Sequence, residues 1–162
     1  MRFLCDEMLH RLGRWLRAAG YDTLIAGNAR SDRDVLADAR RERRLLITRD
    51  RKLTEHRGAE GTVVLLTANS VDSCARELAR RLPVDWLHAP FSRCLECNHP
   101  VCEASAVQAR LAPTSVRERG QAVYHCRHCG RLYWEGGHVK RMRHRLETWR
   151  EATRHAPPSE PR

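Results

Sequence analysis

The sequence predicts an α/β protein: a parallel sheet covered by helices, then a small cysteine-rich β module, then a basic helix. Three observations support this. Short apolar runs alternate with stretches of helical periodicity over residues 1–82, the order typical of right-handed βαβ units. Two CxxC pairs and several short β-prone segments lie within residues 91–137. Residues 138–153 combine helical character with many Lys and Arg side chains.

Four short apolar runs are the predicted strands of the sheet. They occupy residues 2–5, 23–26, 45–48 and 62–66. Continuous apolar character, without alternation, is typical of strands that are covered on both faces. We therefore expect a parallel sheet with helices on each side.

Helical periodicity fills the segments between these strands. Apolar side chains recur at steps of three and four over residues 8–19, and Gly20 favours the end of that helix. Ser31 or Asp32 can cap a second helix. A third helix is predicted near residues 70–82.

The composition changes after Leu87, and Ala89-Pro90 resembles a joint. We predict an α/β domain over residues 1–88, a ribbon with a basic helix over 89–153 and a disordered tail over 154–162.

The net charge of +10 favours a polyanionic partner, which for a cytoplasmic protein usually means nucleic acid. Residues 1–90 carry 17 Lys and Arg against 13 Asp and Glu, and residues 91–162 carry 13 against 7. The alternative is a merely solubilising surface. No apolar run reaches the roughly 20 residues of a membrane span, and residues 1–9 do not resemble a signal peptide. We expect a cytoplasmic protein that does not associate with membranes.

The two CxxC pairs predict a zinc site. Cys94 and Cys97 form the first pair, and Cys126 and Cys129 form the second, with 28 residues between the pairs. Each pair can place two thiolates on one tight turn, and two such turns give tetrahedral sulfur coordination. A site closed by four thiolates has no open position, so this zinc is expected to be structural.

Other uses of the cysteines are weaker alternatives. Cys102 is a conceivable substitute ligand. Redox chemistry normally uses one CxxC at a helix N-terminus, whereas two pairs in a β context favour metal binding. Cys5 and Cys74 fall within predicted core elements and are expected to be buried.

Acidic side chains follow two of the predicted strands. Asp6 ends the first strand, Asp50 follows the third, and Asp32 and Asp34 open the helix between them. The carboxyl ends of parallel strands meet at one edge of the sheet, which is where ligands bind. Clustered carboxylates suit Mg²⁺ or Mn²⁺, which can activate water against a phosphodiester.

Each acid also has a structural interpretation. Asp32 can cap a helix with the help of Ser31 and Asp34, and Asp50 can cap a short helix near Arg51. Basic side chains near the acids and in the C-terminal helix are candidates for contacts with the phosphate backbone. They are Arg14, Arg17, Arg49, Lys52, Lys140, Arg141 and Arg143.

The sequence resembles a known family at these positions. Residues 3–9 and 11–23, then 32–36 and 45–53, are similar to successive blocks of the PIN-like RNase family named after the C-terminal domain of the Mut-seven exonuclease. The two CxxC pairs match the zinc ribbon that follows in that family. The resemblance covers about residues 1–150.

The resemblance implies a PIN-like fold and a metal-dependent ribonuclease. By position, Asp6 and Asp50 match the acids at the strand ends, and Asp32 matches the acid of the helix-opening block, with Asp34 as alternative or helper. Near the fourth strand end, only Asn69 and Asp72 stand where a further acid is common. Two possibilities therefore stay open: the site binds one ion, or it binds a second ion that is ordered only by substrate.

We therefore predict a hydrolase that cleaves RNA phosphodiester bonds with Mg²⁺ or Mn²⁺ and leaves a 3′-hydroxyl and a 5′-phosphate. Three alternatives remain: a non-catalytic RNA- or ribosome-binding protein, a zinc-ribbon adaptor for protein partners, and a deoxyribonuclease. The sequence does not decide between endonucleolytic and exonucleolytic cleavage.

Overall fold

Four parallel strands form the sheet of the first domain in a computed structural model that describes residues 1–27 and 30–154. The strands are β1 Arg2–Cys5, β2 Asp22–Ile25, β3 Leu45–Thr48 and β4 Val63–Leu65. Their spatial order is β2-β1-β3-β4, and every neighbouring pair is parallel. The predicted parallel α/β sheet is confirmed. Because the order reverses between β1 and β3, a crevice is expected at their carboxyl ends.

Helices cover both faces of this sheet. A 3-10 turn, Glu7–Leu9, leads into α1 His10–Ala18, and α4 Val71–Arg81 packs with α1 on one face. The other face carries α2 Asp32–Arg41 and α3 Lys52–Glu55. Two separate apolar clusters, one on each face, explain why the strands lack alternation.

A second, smaller sheet follows the first domain. It is antiparallel in the order β5-β6-β7, with β5 Val101–Glu103, β6 Val123–Cys126 and β7 Leu132–Trp134. Two short helices connect β5 to β6, namely α5 Ala106–Ala109 and α6 Thr114–Glu118. The predicted ribbon is confirmed, and these two helices were not anticipated by the sequence pattern.

The last helix, α7 Gly137–Arg154, packs back on the first domain. Met142, Leu146 and Trp149 are buried in the same core as α1 and α4. Asp72 on α4 accepts two hydrogen bonds from Arg145, at 2.9 and 2.7 Å, and one from the Trp149 indole at 2.8 Å. The core of the first domain therefore also includes side chains of α7, which follows the predicted boundary after residue 88.

The joint between the domains is closely packed. The amide of Ala89 donates to the carbonyl of Ala19 at 3.0 Å, and the amide of Phe91 donates to Ala18 at 2.7 Å. Gly20 has φ +97°, and a Cβ added there would lie 2.3 Å from the carbonyl oxygen of Ala89. Only glycine fits this approach.

Some predictions cannot be compared with the fold. Residues 28 and 29, and residues 155–162 of the predicted tail, lie outside the described residues, and Arg154 is the last residue of α7. Within the described ranges, no helix is both long enough and apolar enough to cross a membrane.

Candidate active site and metal centre

Asp6 and Asp50 lie at the carboxyl ends of the two central strands. The amide of Asp6 donates to the carbonyl of Ile47 at 2.9 Å, which holds Asp6 beside the end of β3. The hydroxyl of Thr48 donates to Asp6 Oδ2 at 2.8 Å and accepts from the amide of Asp50 at 2.9 Å. Thr48, which the sequence pattern did not single out, therefore ties the two acids to one strand end.

These two carboxylates are half-buried and have no cationic partner among residues 1–27 and 30–154. Asp50 Oδ1 accepts from the amide of Lys52, the first residue of α3, at 2.9 Å, although the N-cap position itself is Arg51. Within the described part of the chain, the second oxygen of each carboxylate accepts no hydrogen bond. Asp22 and Asp38, by comparison, are each paired with two arginines. Although the protein has a net charge of +10, neither of these half-buried acids has a cationic side chain beside it among the described residues. Both carboxylates are therefore available to bind a cation.

The acids of α2 have other contacts. Asp34 Oδ2 accepts from the Ser31 hydroxyl at 2.7 Å, and its amide donates back to Ser31 at 3.2 Å, so this pair caps the helix. Asp32 Oδ2 lies 3.9 Å from His56 Nε2 on the segment after α3. His56 was not among the predicted residues.

Across the residues that the structure describes, no three carboxylates come within 4.8 Å of one another. The Asp6, Asp32, Asp34 and Asp50 set is thus not assembled as a closed ligand cage, and its catalytic role stays a prediction.

The end of β4 is occupied by Glu77, a residue of α4 that sequence analysis missed. Its carboxylate accepts from the amides of Thr67 and Ala68 at 3.0 and 2.9 Å and pairs with Arg81 at 2.9 Å. The two positions considered for a further acid are also engaged: Asn69 accepts from Arg49, and Asp72 holds α7. Hydrogen bonds from Arg145 lower the pKa of Asp72 in spite of its partial burial.

The four basic residues predicted near the acids divide into two kinds. Arg14, Arg49 and Lys52 keep exposed or half-exposed side chains, although Arg14 pairs with Glu96 at 2.7 Å. Arg17 is buried and donates to the carbonyls of Thr23, Leu95 and Glu96 at 2.8, 2.9 and 2.7 Å. Three of the five guanidinium N–H groups are thus used within the protein, and these bonds make Arg17 a structural link between α1 and the ribbon.

The basic side chains of α7 also fall into two groups, one accessible and one paired with acids of the first domain. Lys140 and Arg141 are exposed, and Arg143 lies over the ring of Phe91 at 5.1 Å. Arg145 and Arg150 instead pair with Asp72 and Asp85 of the first domain. Lys140 and Arg141, in the N-terminal half of the helix, are therefore accessible to a polyanion.

The four predicted zinc ligands come together. The sulfurs of Cys94, Cys97, Cys126 and Cys129 all lie within 4.8 Å of one another, and the two contacts between the CxxC turns are 3.6 and 3.4 Å. Asn98 and Gly130 follow the two turns with φ of 68° and 71°, a left-handed conformation that Asn and Gly tolerate. Four thiols at this spacing fit a tetrahedral Zn²⁺ and could bind it structurally.

The surroundings of Cys94 favour its thiolate form, whereas the pKa values of Cys97 and Cys129 are raised. Although burial raises the pKa of Cys94, hydrogen bonds from the Tyr133 hydroxyl at 3.0 Å and from backbone amides outweigh it and lower the pKa to about 6. Cys102 lies outside the cluster, with its sulfur 3.6 Å from the ring of His125 and 3.3 Å from Arg127. Cys5 and Cys74 are buried as predicted, and burial raises the pKa of Cys5 to about 12.

The fold and the two sites define an α/β domain with a candidate acidic centre, joined to a ribbon with a candidate structural zinc centre. The Mut7-C RNAse domain family model matches residues 1–146, and the chain belongs to this family. The exonuclease mut-7 homolog of Homo sapiens is 32% identical over 101 residues, which is 60% of this chain and 12% of that protein. The chain thus spans about an eighth of that relative's length. No solved structure matches. The family supports a nuclease-type function.

Proposed function

We propose that the protein is a metal-dependent ribonuclease whose active site surrounds Asp6 and Asp50. The observation that carries this proposal is the pair of half-buried carboxylates at the switch point of the sheet, which lack a cationic partner within the described part of a strongly basic chain. The family to which the chain belongs supports RNA as the substrate.

In this proposal, Asp6 and Asp50 hold Mg²⁺ or Mn²⁺ with their second oxygens. Such an ion lowers the pKa of water and offsets charge that develops on a phosphodiester. Thr48 keeps the Asp6 carboxylate in one orientation, since its hydroxyl is itself fixed by the amide of Asp50. Asp32 and Asp34, on the N-terminal turn of α2, are the further acids that substrate or a second ion would recruit.

The RNA backbone would meet the basic residues that remain accessible. Arg49 and Lys52 flank Asp50, and Lys140 and Arg141 extend the positive surface along α7. Arg14 and Arg143 contribute from the ribbon side. Zn²⁺ at the four cysteines would be structural, because four thiolates leave no position for a substrate.

The test is cleavage of labelled single-stranded RNA by the zinc-loaded protein with Mg²⁺ or Mn²⁺. Asp6→Asn and Asp50→Asn are each expected to lower the rate about 100-fold or more, the scale on which single electrostatic groups act in active sites. Glu118→Gln, which removes an exposed acid of α6, is the matched control and is expected to cut at the wild-type rate.

A non-catalytic RNA-binding protein is the second candidate, because no three carboxylates come within 4.8 Å of one another in the residues described. If no RNA is cut, or if both Asp variants cut as fast as wild type, this second candidate replaces the first.

A further inference from the structure

A groove lies between the ribbon, the joint and the N-terminal half of α7, and its lining contains none of the candidate metal ligands of either site. It encloses about 590 Å³, a size typical of pockets for small ligands. Four aromatic side chains line it: Phe91, Tyr124, Tyr133 and Trp134. The chain has only nine aromatic residues of the Phe, Trp and Tyr types, so this concentration calls for an explanation.

Two of these rings are neighbours on one face of the ribbon. Tyr124 on β6 lies directly opposite Tyr133 on β7 in the antiparallel register. The hydroxyl of Tyr133 is held 3.0 Å from the Cys94 sulfur and 3.2 Å from the amide of Leu95. Tyr124 is 44% exposed and is not part of the ribbon core, so its ring is accessible to a ligand.

Phe91 lines the groove and has a strained backbone conformation. Its φ is 60°, a conformation that a bulky side chain rarely adopts. The amide of Phe91 is anchored to the carbonyl of Ala18 at 2.7 Å, and Arg143 stacks over the ring at 5.1 Å. Strain of this kind is retained where the surrounding structure imposes it, and it is concentrated at functional sites.

The charge of the groove favours an anion. Four arginines line it against two acids. Arg14 pairs with Glu96 at 2.7 Å, and Arg143 lies 3.9 Å from Glu135. Arg93 donates to the carbonyls of Gly20 and Asn98 at 3.3 and 2.9 Å, so its charge is fixed at the groove without a carboxylate among its described partners.

We propose that this groove binds an unpaired base of a single-stranded RNA, with the base against Tyr124 and the adjoining phosphate near the arginines. Rings that stack on any base, combined with cations for the backbone, are the common means of holding single-stranded nucleic acid. An apolar peptide would leave the excess arginine charge unmatched. The inference rests on the proposed function, because it specifies which form of RNA the protein takes.

The groove also leads toward the acids. Glu96 lines both the groove and a cavity of about 440 Å³ that is bordered by Glu7 and His10. Glu7 directly follows Asp6, and His10 and Arg14 are one helical turn apart on α1. A strand whose base is held in the groove would therefore run along α1 to Asp6.

The test measures binding of a fluorescent oligouridylate to the zinc-loaded protein without Mg²⁺ or Mn²⁺, so that cleavage does not contribute. An abasic ribose-phosphate oligomer of equal length is the second probe. We expect the oligouridylate to bind about tenfold more tightly or better, and Tyr124→Ala to remove most of that difference. Tyr124→Phe should bind as wild type does.

Val107→Ala is the matched control, since Val107 is a 72% exposed side chain of α5 that does not line the groove. Zinc content reports whether each variant keeps its ribbon, and Tyr124→Leu, which keeps the bulk, replaces Tyr124→Ala if zinc is lost. Equal affinity for both probes, or unchanged affinity in the Tyr124 variant, would overturn the inference. Cleavage that depends on Asp6 would then still stand, so the two proposals fail separately.

Discussion

Replacing Trp149 tests whether α7 belongs to the core of the α/β domain or is a free basic helix. Trp149 is 1% exposed and lies edge-on to Trp15 and Trp86, with ring centroids 5.0 and 4.8 Å away. Its indole N–H donates to Asp72 at 2.8 Å. Trp149→Ala removes all three contacts together.

The expected loss is large on the scale of a small domain. Truncating a buried Trp to Ala costs about 3–5 kcal/mol of stability. Because Trp149 also forms two aromatic pairs, we expect the cost of its truncation to fall within that range and not below it. Domains of this size have a free energy of unfolding of about 5–15 kcal/mol. Trp149→Phe keeps an aromatic ring but loses the hydrogen bond, and we expect it to cost about 1–2 kcal/mol because Asp72 retains Arg145.

Urea denaturation followed by far-UV circular dichroism, at constant zinc, measures these differences. Lys140→Ala is the control, because Lys140 is exposed on the same helix and its removal should change stability by less than about 0.5 kcal/mol. A loss below about 1 kcal/mol for Trp149→Ala would refute the packing of α7 on the first domain.

Three further predictions concern the metal centre, the sheet edge and the joint. Cys97→Ser should abolish zinc binding, whereas Cys102→Ser should keep about one zinc per chain by metal analysis, because the Cys102 sulfur lies outside the cluster. For Asp22, burial is outweighed by hydrogen bonds from two arginines and an asparagine, so its pKa is held well below the usual range. This stabilisation is present above about pH 4 and is lost as the pH falls further, so Asp22→Asn should be less stable at neutral pH and less sensitive to acid in urea titrations. Gly20→Ala should cost more than about 2 kcal/mol by thermal unfolding, whereas Gly61→Ala, with φ +69° but no atom within 4 Å of the added Cβ, should cost about 1 kcal/mol.

The sheet and the clustering of the four cysteines were predictable because each follows from a local pattern. A strand covered on both faces is largely apolar, as residues 3–5 of β1 and 45–47 of β3 are. The short helices α5 and α6 were missed, since four or five residues give no measurable period. The packing of α7 was also missed, although Met142, Leu146 and Trp149 recur at steps of four and three and could have indicated a buried face.

For the candidate active site, the sequence predicted only which strand ends lie next to each other. Asp6 and Asp50 follow adjacent parallel strands, and this is enough to place them at one edge. The hydrogen bonds of Thr48 and the burial of Arg17 were not predictable. Arg17 donates to the carbonyl of Leu95, which lies 78 residues later in the sequence. Because this contact is so distant in sequence, the local pattern could not show whether Arg17 faces phosphate or carbonyl groups.

The four-cysteine cluster has a consequence for the first domain because the first CxxC turn covers the edge of the sheet in that domain. β2 is one of the two edge strands of the sheet, and the polar groups of an edge strand need partners. The amide of Thr23 donates to Asn98 Oδ1 at 2.9 Å, and Asn98 Nδ2 donates to Asp22 at 2.7 Å. Asn98 can do this because the turn that begins at Cys94 sets its left-handed conformation, with its amide donating to the carbonyl of Cys94 at 3.0 Å. Arg17 joins the same edge to the same turn. A metal that holds the two turns together therefore also holds β2, and through β2 the neighbouring strand β1 that ends at Asp6.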